Sequence, residues 1–212
     1  TTMVHEVGHA IHSFLAHPLP LSAFKEYPME IAEVASMSME LFTMNHWQAF
    51  FDNVHDLNRA QEHQLERTIT IFPWIAIIDK FQHWVYENPN HSIEERTQAW
   101  TTIAKEFSTN SIDYSGLDQY RAIGWQRQLH LFEVPFYYIE YGIAQLGAIG
   151  MWMQYQKNPT LALENYMNAL SLGGTKTLPE LYQTAGISFD FSSSYVKTLM
   201  DFTRDELEKL YQ

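Results

Sequence analysis

The stretch MVHEVGHAIHSFL, residues 3–15, decides how the rest of the chain is read. Val4, Val7, Ile11, Phe14 and Leu15 recur at the spacing of an amphipathic helix. On such a helix His5 and His9 stand four positions apart, so their imidazoles leave one face about one turn from each other. Two ring nitrogens so placed can meet one zinc ion at ~2.0–2.1 Å. Glu6 adjoins the first of them and sits beside the metal rather than on it. There it can take a proton from the attacking water and later return it to a leaving amine. Gly8 allows another backbone or a substrate to come close.

A third ligand has to be found elsewhere. The three-histidine zinc proteases need a glycine three residues after the second histidine and a histidine three residues beyond it; this chain has His12 and Leu15 there, which excludes that class. The sequence contains no cysteine, so only His, Asp or Glu can serve. Downstream, PMEIAEVASMSMELF (28–42) has a helical pattern with Glu30, Glu33, Met37 and Glu40 to one side and Ile31, Val34, Ala35, Met39 and Phe42 as apolar cover. Between the two helices lies HPLPLSAFKEYP (17–28), a proline-rich loop able to turn the chain back. Two packed helices, one giving two histidines and the other Glu33, would make a His2Glu zinc site with one coordination position open. Taken alone, the three glutamates read as a solvated acidic stripe. Next to HEVGH they read as a ligand and its neighbours.

HEVGHAIHSFL followed by EIAEVASMSMELF resembles the metallopeptidases of the thimet oligopeptidase and oligoendopeptidase F type, whose signature is HExGHxxH with a later ExxS/P…E helix. The likeness continues into a tyrosine-rich segment and covers most of residues 3–150. It implies an all-helical, zincin-like peptidase whose deep channel admits short peptides and excludes folded proteins. It also implies His5, His9 and Glu33 as ligands of one Zn2+ and Glu6 as the base, with Glu30 or Glu40 orienting ligand imidazoles through the far ring nitrogen. The thermolysin-like class shares the ExxS element but places Asn before the glutamate, where this chain has Ala32.

The tyrosine-rich segment is QLHLFEVPFYYIEYGIAQLGA, 128–148. Pro135 is expected to open a helix that runs to about residue 156, with Tyr137 and Tyr141 sharing a face and Tyr138 offset. Peptide hydrolysis develops an oxyanion, and one well-aimed phenol or imidazole donor stabilises it by about 2.7–4 kcal/mol. In the family it resembles, a histidine followed by such a helix contacts the substrate, which makes His130, Tyr137 and Tyr138 the candidates here. Tyr137, nearest Pro135, is the first choice. The chain departs from the thimet form where Phe132-Glu133-Val134-Pro135 replaces a glycine-rich link. Tyrosines that merely pack in a helical core remain the competing reading.

The remaining sequence is helical in pattern, without β alternation or an internal repeat, so the fold class is all-α. A helix is expected over 29–51 and another over 55–86, interrupted at Pro73 by a kink or an added first turn. The expectation is a single helical domain over 1–212, with the zinc-site helices in 1–54 and the substrate-site helix in 128–156. A net charge of −12 argues against nucleic acid and does not favour anionic membranes. The longest apolar stretch, 143–153, is too short for a membrane span and contains Gln145. Freedom from disulfides fits a cytoplasmic protein. Only Thr1 and Thr2 precede the first helix, so the chain is read as a piece of a longer peptidase. The rival reading is a non-catalytic helical module that keeps the zinc site.

Overall fold

The apolar period of residues 3–15 forms the first helix of a computed structural model that describes residues 2–109 and 111–211. This helix, α1 (Thr2–Ala16), leads through a 3-10 turn at Ser22–Lys25 into α2 (Met29–Phe42), which starts where the prolines end. The stretch that followed was expected to continue α2 to residue 51. Instead the Thr43 hydroxyl donates to the carbonyls of Met39 (2.8 Å) and Glu40 (3.3 Å) and accepts the Trp47 indole N–H at 3.2 Å. These side-chain bonds compete with the helix ladder, and the chain tightens into a 3-10 segment, Thr43–Ala49.

α3 (Val54–Glu87) continues through Pro73 as one helix, since one missing N–H removes a single bond from a long ladder. α4 (Ile93–Glu106) opens on a reciprocal cap: Ser92 Oγ accepts the Glu95 N–H while Glu95 accepts that of Ser92. Two short helices follow, α5 (Asp118–Ala122) and α6 (His130–Glu133). Then come α7 (Ile139–Lys157), α8 (Pro159–Ser171), α9 (Leu178–Thr184) and α10 (Ser193–Lys209). Among the described residues there is no strand, in agreement with the all-α expectation. No described helix is long and apolar enough to cross a membrane.

The start of α7 differs from the sequence reading. Phe136 holds a left-handed backbone, φ 62°, so no helix can run on from Pro135. Its N–H donates to Gln82 Oε1 (3.2 Å) and its ring lies 5.0 Å from those of His83 and Tyr86. Those contacts hold a conformation that costs on the order of 1–3 kcal/mol. Tyr137 and Tyr138 therefore precede the helix, and of these three tyrosines Tyr141 alone is on it.

The chain divides into two compact units. The first combines Thr1–Ile69 with Ile143–Gln212, and the second is Thr70–Gly142. In the first, α2 is the centre: α1, α8 and α9 pack on it. Tyr166 donates to the Ala35 carbonyl at 2.8 Å, tying α8 to α2. The second has its own core of Ile75, Ile78, Phe81, Trp100 and Ile103, flanked by Trp74, Trp84 and Trp125.

Candidate metal centre

The site begins at Gly8. A Cβ added there would lie 2.5 Å from Ser36 Cα and 2.7 Å from the Ala35 carbonyl oxygen. No side chain fits in that space, so the backbone of α1 rests directly on that of α2. Ser36 is one turn beyond Glu33, and the contact delivers the Glu33 carboxylate to the histidine face of α1. His5 Nε2 is 3.4 Å and His9 Nε2 is 3.9 Å from Glu33 Oε2. One ligand atom from each residue lies within 4.8 Å of the other two, the sole such group among the described residues. Two ligands about 2.0–2.1 Å from a tetrahedral zinc ion stand roughly 3.3 Å apart; His5 and Glu33 are near that separation and His9 stands somewhat wider.

Electrostatics supports the same fit. Glu33 is 5% exposed, and Ser36 Oγ donates to its Oε2 at 3.0 Å. On the far side of His5, Nδ1 is 2.7 Å from Glu40 Oε1, and Gln64 Nε2 donates to Glu40 Oε2 at 2.7 Å. A carboxylate only accepts, so Nδ1 of His5 carries the proton and Nε2 turns its lone pair toward Glu33. Two acceptors then face each other at 3.4 Å, an arrangement that calls for a proton or a cation between them. The hydrogen bond to Glu40 raises the His5 pKa above the ordinary histidine value against the opposing effect of burial. Burial works to raise the Glu40 carboxyl, but bonds from His5 and Gln64 hold it below the usual carboxylate range.

The other residues near the motif take distinct places. Glu6 is exposed on α1. Glu30 is half-buried, and its charge adds to the burial that pushes up the Tyr182 hydroxyl. His46, His55, His63 and His83 are exposed.

His12 is fully buried, stacked on Tyr27 at 3.5 Å, with no hydrogen-bond partner at either nitrogen among the described residues. Burial, aided by His9, lowers its pKa to about 4. The folded state therefore holds the ring neutral while the unfolded chain protonates it. Its contribution to stability is complete above pH ~6.5 and is lost as pH falls toward about 4. Urea unfolding should show His12→Phe losing less stability than wild type over that interval, by on the order of 3 kcal/mol. Comparing the two proteins cancels His5, whose raised pKa acts in the opposite direction. Parallel pH profiles would contradict the account of His12.

The second unit gathers the aromatic candidates. The His130 ring lies 5.9 Å from Tyr137, 5.1 Å from Tyr138 and 5.8 Å from Tyr141. Tyr141 is 5.5 Å from Tyr137 and 5.4 Å from Tyr138. Burial pushes the Tyr138 hydroxyl up, opposed by a hydrogen bond with Trp74. His130 and the tyrosines thus form one cluster in the second unit, and the histidine–glutamate cluster belongs to the first.

Residues 1–201 match peptidase family M3. The chain belongs to peptidase family M3. Among M3-type relatives, it is 21% identical over 219 residues to the oligoendopeptidase F homolog of Borreliella burgdorferi, covering 100% of this chain and 36% of that protein. It is 22% identical over 220 residues to oligopeptidase PepF of Bacillus subtilis, covering 99% of this chain and 32% of that one. A solved structure of PZ peptidase A with an inhibitor superposes with a TM-score of 0.89 at 32% identity, covering 98% of this chain and 36% of that chain. The M3 chain described here thus spans about a third of the length of the curated relatives it matches.

Several residues in these clusters carried no signal of their own in the M3 sequence. Gln64 reaches Glu40 across 24 positions, and Trp74 reaches Gln128 across 54. Ser36 is different: it is the serine of ExxS, and its hydroxyl bonds Glu33.

Proposed function

We propose that this M3 chain holds zinc at His5, His9 and Glu33 and hydrolyses peptide bonds in short oligopeptides. The supporting observation is the convergence of two imidazole nitrogens and one buried carboxylate, with Glu40 on the far nitrogen of His5. A zinc ion bound there would supply a Lewis acid that polarises the scissile carbonyl and eases deprotonation of a water. Glu6, adjoining His5, takes the proton from the attacking water and passes it to the leaving amine. Glu40 fixes the tautomer of His5, and Ser36 steadies the Glu33 carboxylate. By resemblance to the family, His130, Tyr137 and Tyr138 supply donors for the oxyanion. The cysteine-free, acidic sequence fits a cytoplasmic peptidase with no nucleic-acid partner.

Glu40→Ala is expected to weaken zinc binding by about 10–100-fold, because His5 loses the group that orients it. A zinc titration against a competing chelator checks this. The function itself is tested on a short internally quenched peptide. Hydrolysis should disappear when zinc is stripped and return when zinc is added back. Turnover that survives complete removal of the metal would contradict the proposal. Zinc binding without turnover would favour the rival, a helical module that keeps the site but does not catalyse.

A further inference from the structure

An imidazole serves an oxyanion only if the nitrogen facing it carries a proton. For His130 that choice is determined by residues outside the reaction. Trp74 Nε1–H lies 3.0 Å from Gln128 Oε1, and Gln128 Nε2 lies 2.7 Å from His130 Nδ1. An indole N–H can only donate; it is shared with the Tyr138 hydroxyl, and at 3.0 Å the Gln128 amide still has to present its oxygen to it. Its NH2 then faces His130 and can only donate as well. Nδ1 is therefore an acceptor, and the proton of the neutral ring resides on Nε2. Turning the amide over would set N–H against N–H at Trp74. The indole is held in place: the Arg127 guanidinium lies 4.5 Å over it, and Trp100 meets it edge-on at 5.9 Å.

We propose that Trp74 and Gln128 are positioning residues that lock His130 as its Nε2–H tautomer, making Nε2 a hydrogen-bond donor. The Tyr141 oxygen lies 3.5 Å from Nε2 and accepts that proton in a long contact, so Tyr141's own O–H is not spent on His130. All four residues lie in the second unit. The inference deepens the proposed function and rests on its assignment of His130 as an oxyanion donor. The opposite tautomer would aim a lone pair at the developing negative charge.

Two-bond 1H–15N correlation on the full chain with 15N-labelled histidine reads the tautomer directly, with the His130 signals identified by their loss in His130→Gln. Wild type should show Nε2 protonated. Gln128→Glu places an acceptor-only group on Nδ1, and in the neutral ring it should invert the tautomer to Nδ1–H. Trp74→Phe removes the donor that orients the amide, so both tautomers should become populated. Of the ten histidines, the other nine report in each variant that the fold is intact. A wild-type Nδ1–H tautomer, Gln128→Glu that keeps Nε2–H, or Trp74→Phe with an unchanged tautomer would overturn the relay. In the peptide assay, Gln128→Glu should lower kcat by about tenfold or more with little change in KM. An inverted tautomer with unchanged kcat would leave the relay standing and contradict the role of His130 in the proposed function.

Discussion

Glu6→Gln is expected to lower kcat on a short quenched peptide by about 10²–10⁴-fold, the usual contribution of a positioned general base, while zinc binding stays as in wild type. The substitution keeps the shape of the side chain and removes only its capacity to hold a proton. Glu6 is exposed and lies outside the group formed by His5, His9 and Glu33, so neither the fold nor the metal should register the change. The loss should fall on kcat rather than on KM, because the proton moves in the transition state. Equal rates for the two proteins, each loaded with zinc, would remove Glu6 from the mechanism.

Gly8→Ala should force α1 and α2 apart. The added carbon would stand 2.5 Å from Ser36 Cα, 2.7 Å from the Ala35 oxygen and 2.9 Å from Ser36 N, all of them backbone atoms of α2. Backbone cannot swing aside as a side-chain tip can. The Ala35 carbonyl is also held by Tyr166, and α8 and α9 pack on α2 together with α1. The two helices must therefore part, at a cost of about 3 kcal/mol, the upper end for overpacking. As they part, the His5–Glu33 and His9–Glu33 distances open and zinc affinity falls with stability. Urea unfolding of the metal-free protein and a zinc titration read the two effects separately. A variant as stable as wild type that binds zinc equally well would contradict the backbone contact on which the site is built.

Legibility in the sequence followed the range of the interactions. α1 and α2 could be read because each carries a complete amphipathic period, and HExxH ties two of its polar positions to one metal. Glu33 could be read because a proline-rich loop returned its helix to the first, and the family resemblance singled it out. The end of α2 could not, since it depends on the Thr43 hydroxyl choosing the carbonyls of Met39 and Glu40. The start of α7 was misplaced by four residues for a tertiary reason: Phe136 is held left-handed by Gln82, His83 and Tyr86, none of them local. Gln64, Trp74 and Gln128 were invisible because an amide or indole has no meaning until its distant partner is known. The division into two units falls between residues 69 and 70 and again between 142 and 143, inside α3 and α7, where helical periodicity continues without interruption.

Coordination of zinc by His5, His9 and Glu33 is the claim on which the rest depends, and zinc-edge X-ray absorption paired with a zinc titration of the dialysed chain tests it most directly. The account predicts one tightly bound equivalent at neutral pH, with two imidazole nitrogens and carboxylate oxygen in the inner shell at about 2.0–2.2 Å. Glu33→Ala should then bind far more weakly and lose the carboxylate contribution. Failure of the wild-type chain to take up stoichiometric zinc, or a Glu33→Ala protein with the same affinity and spectrum, would contradict the account.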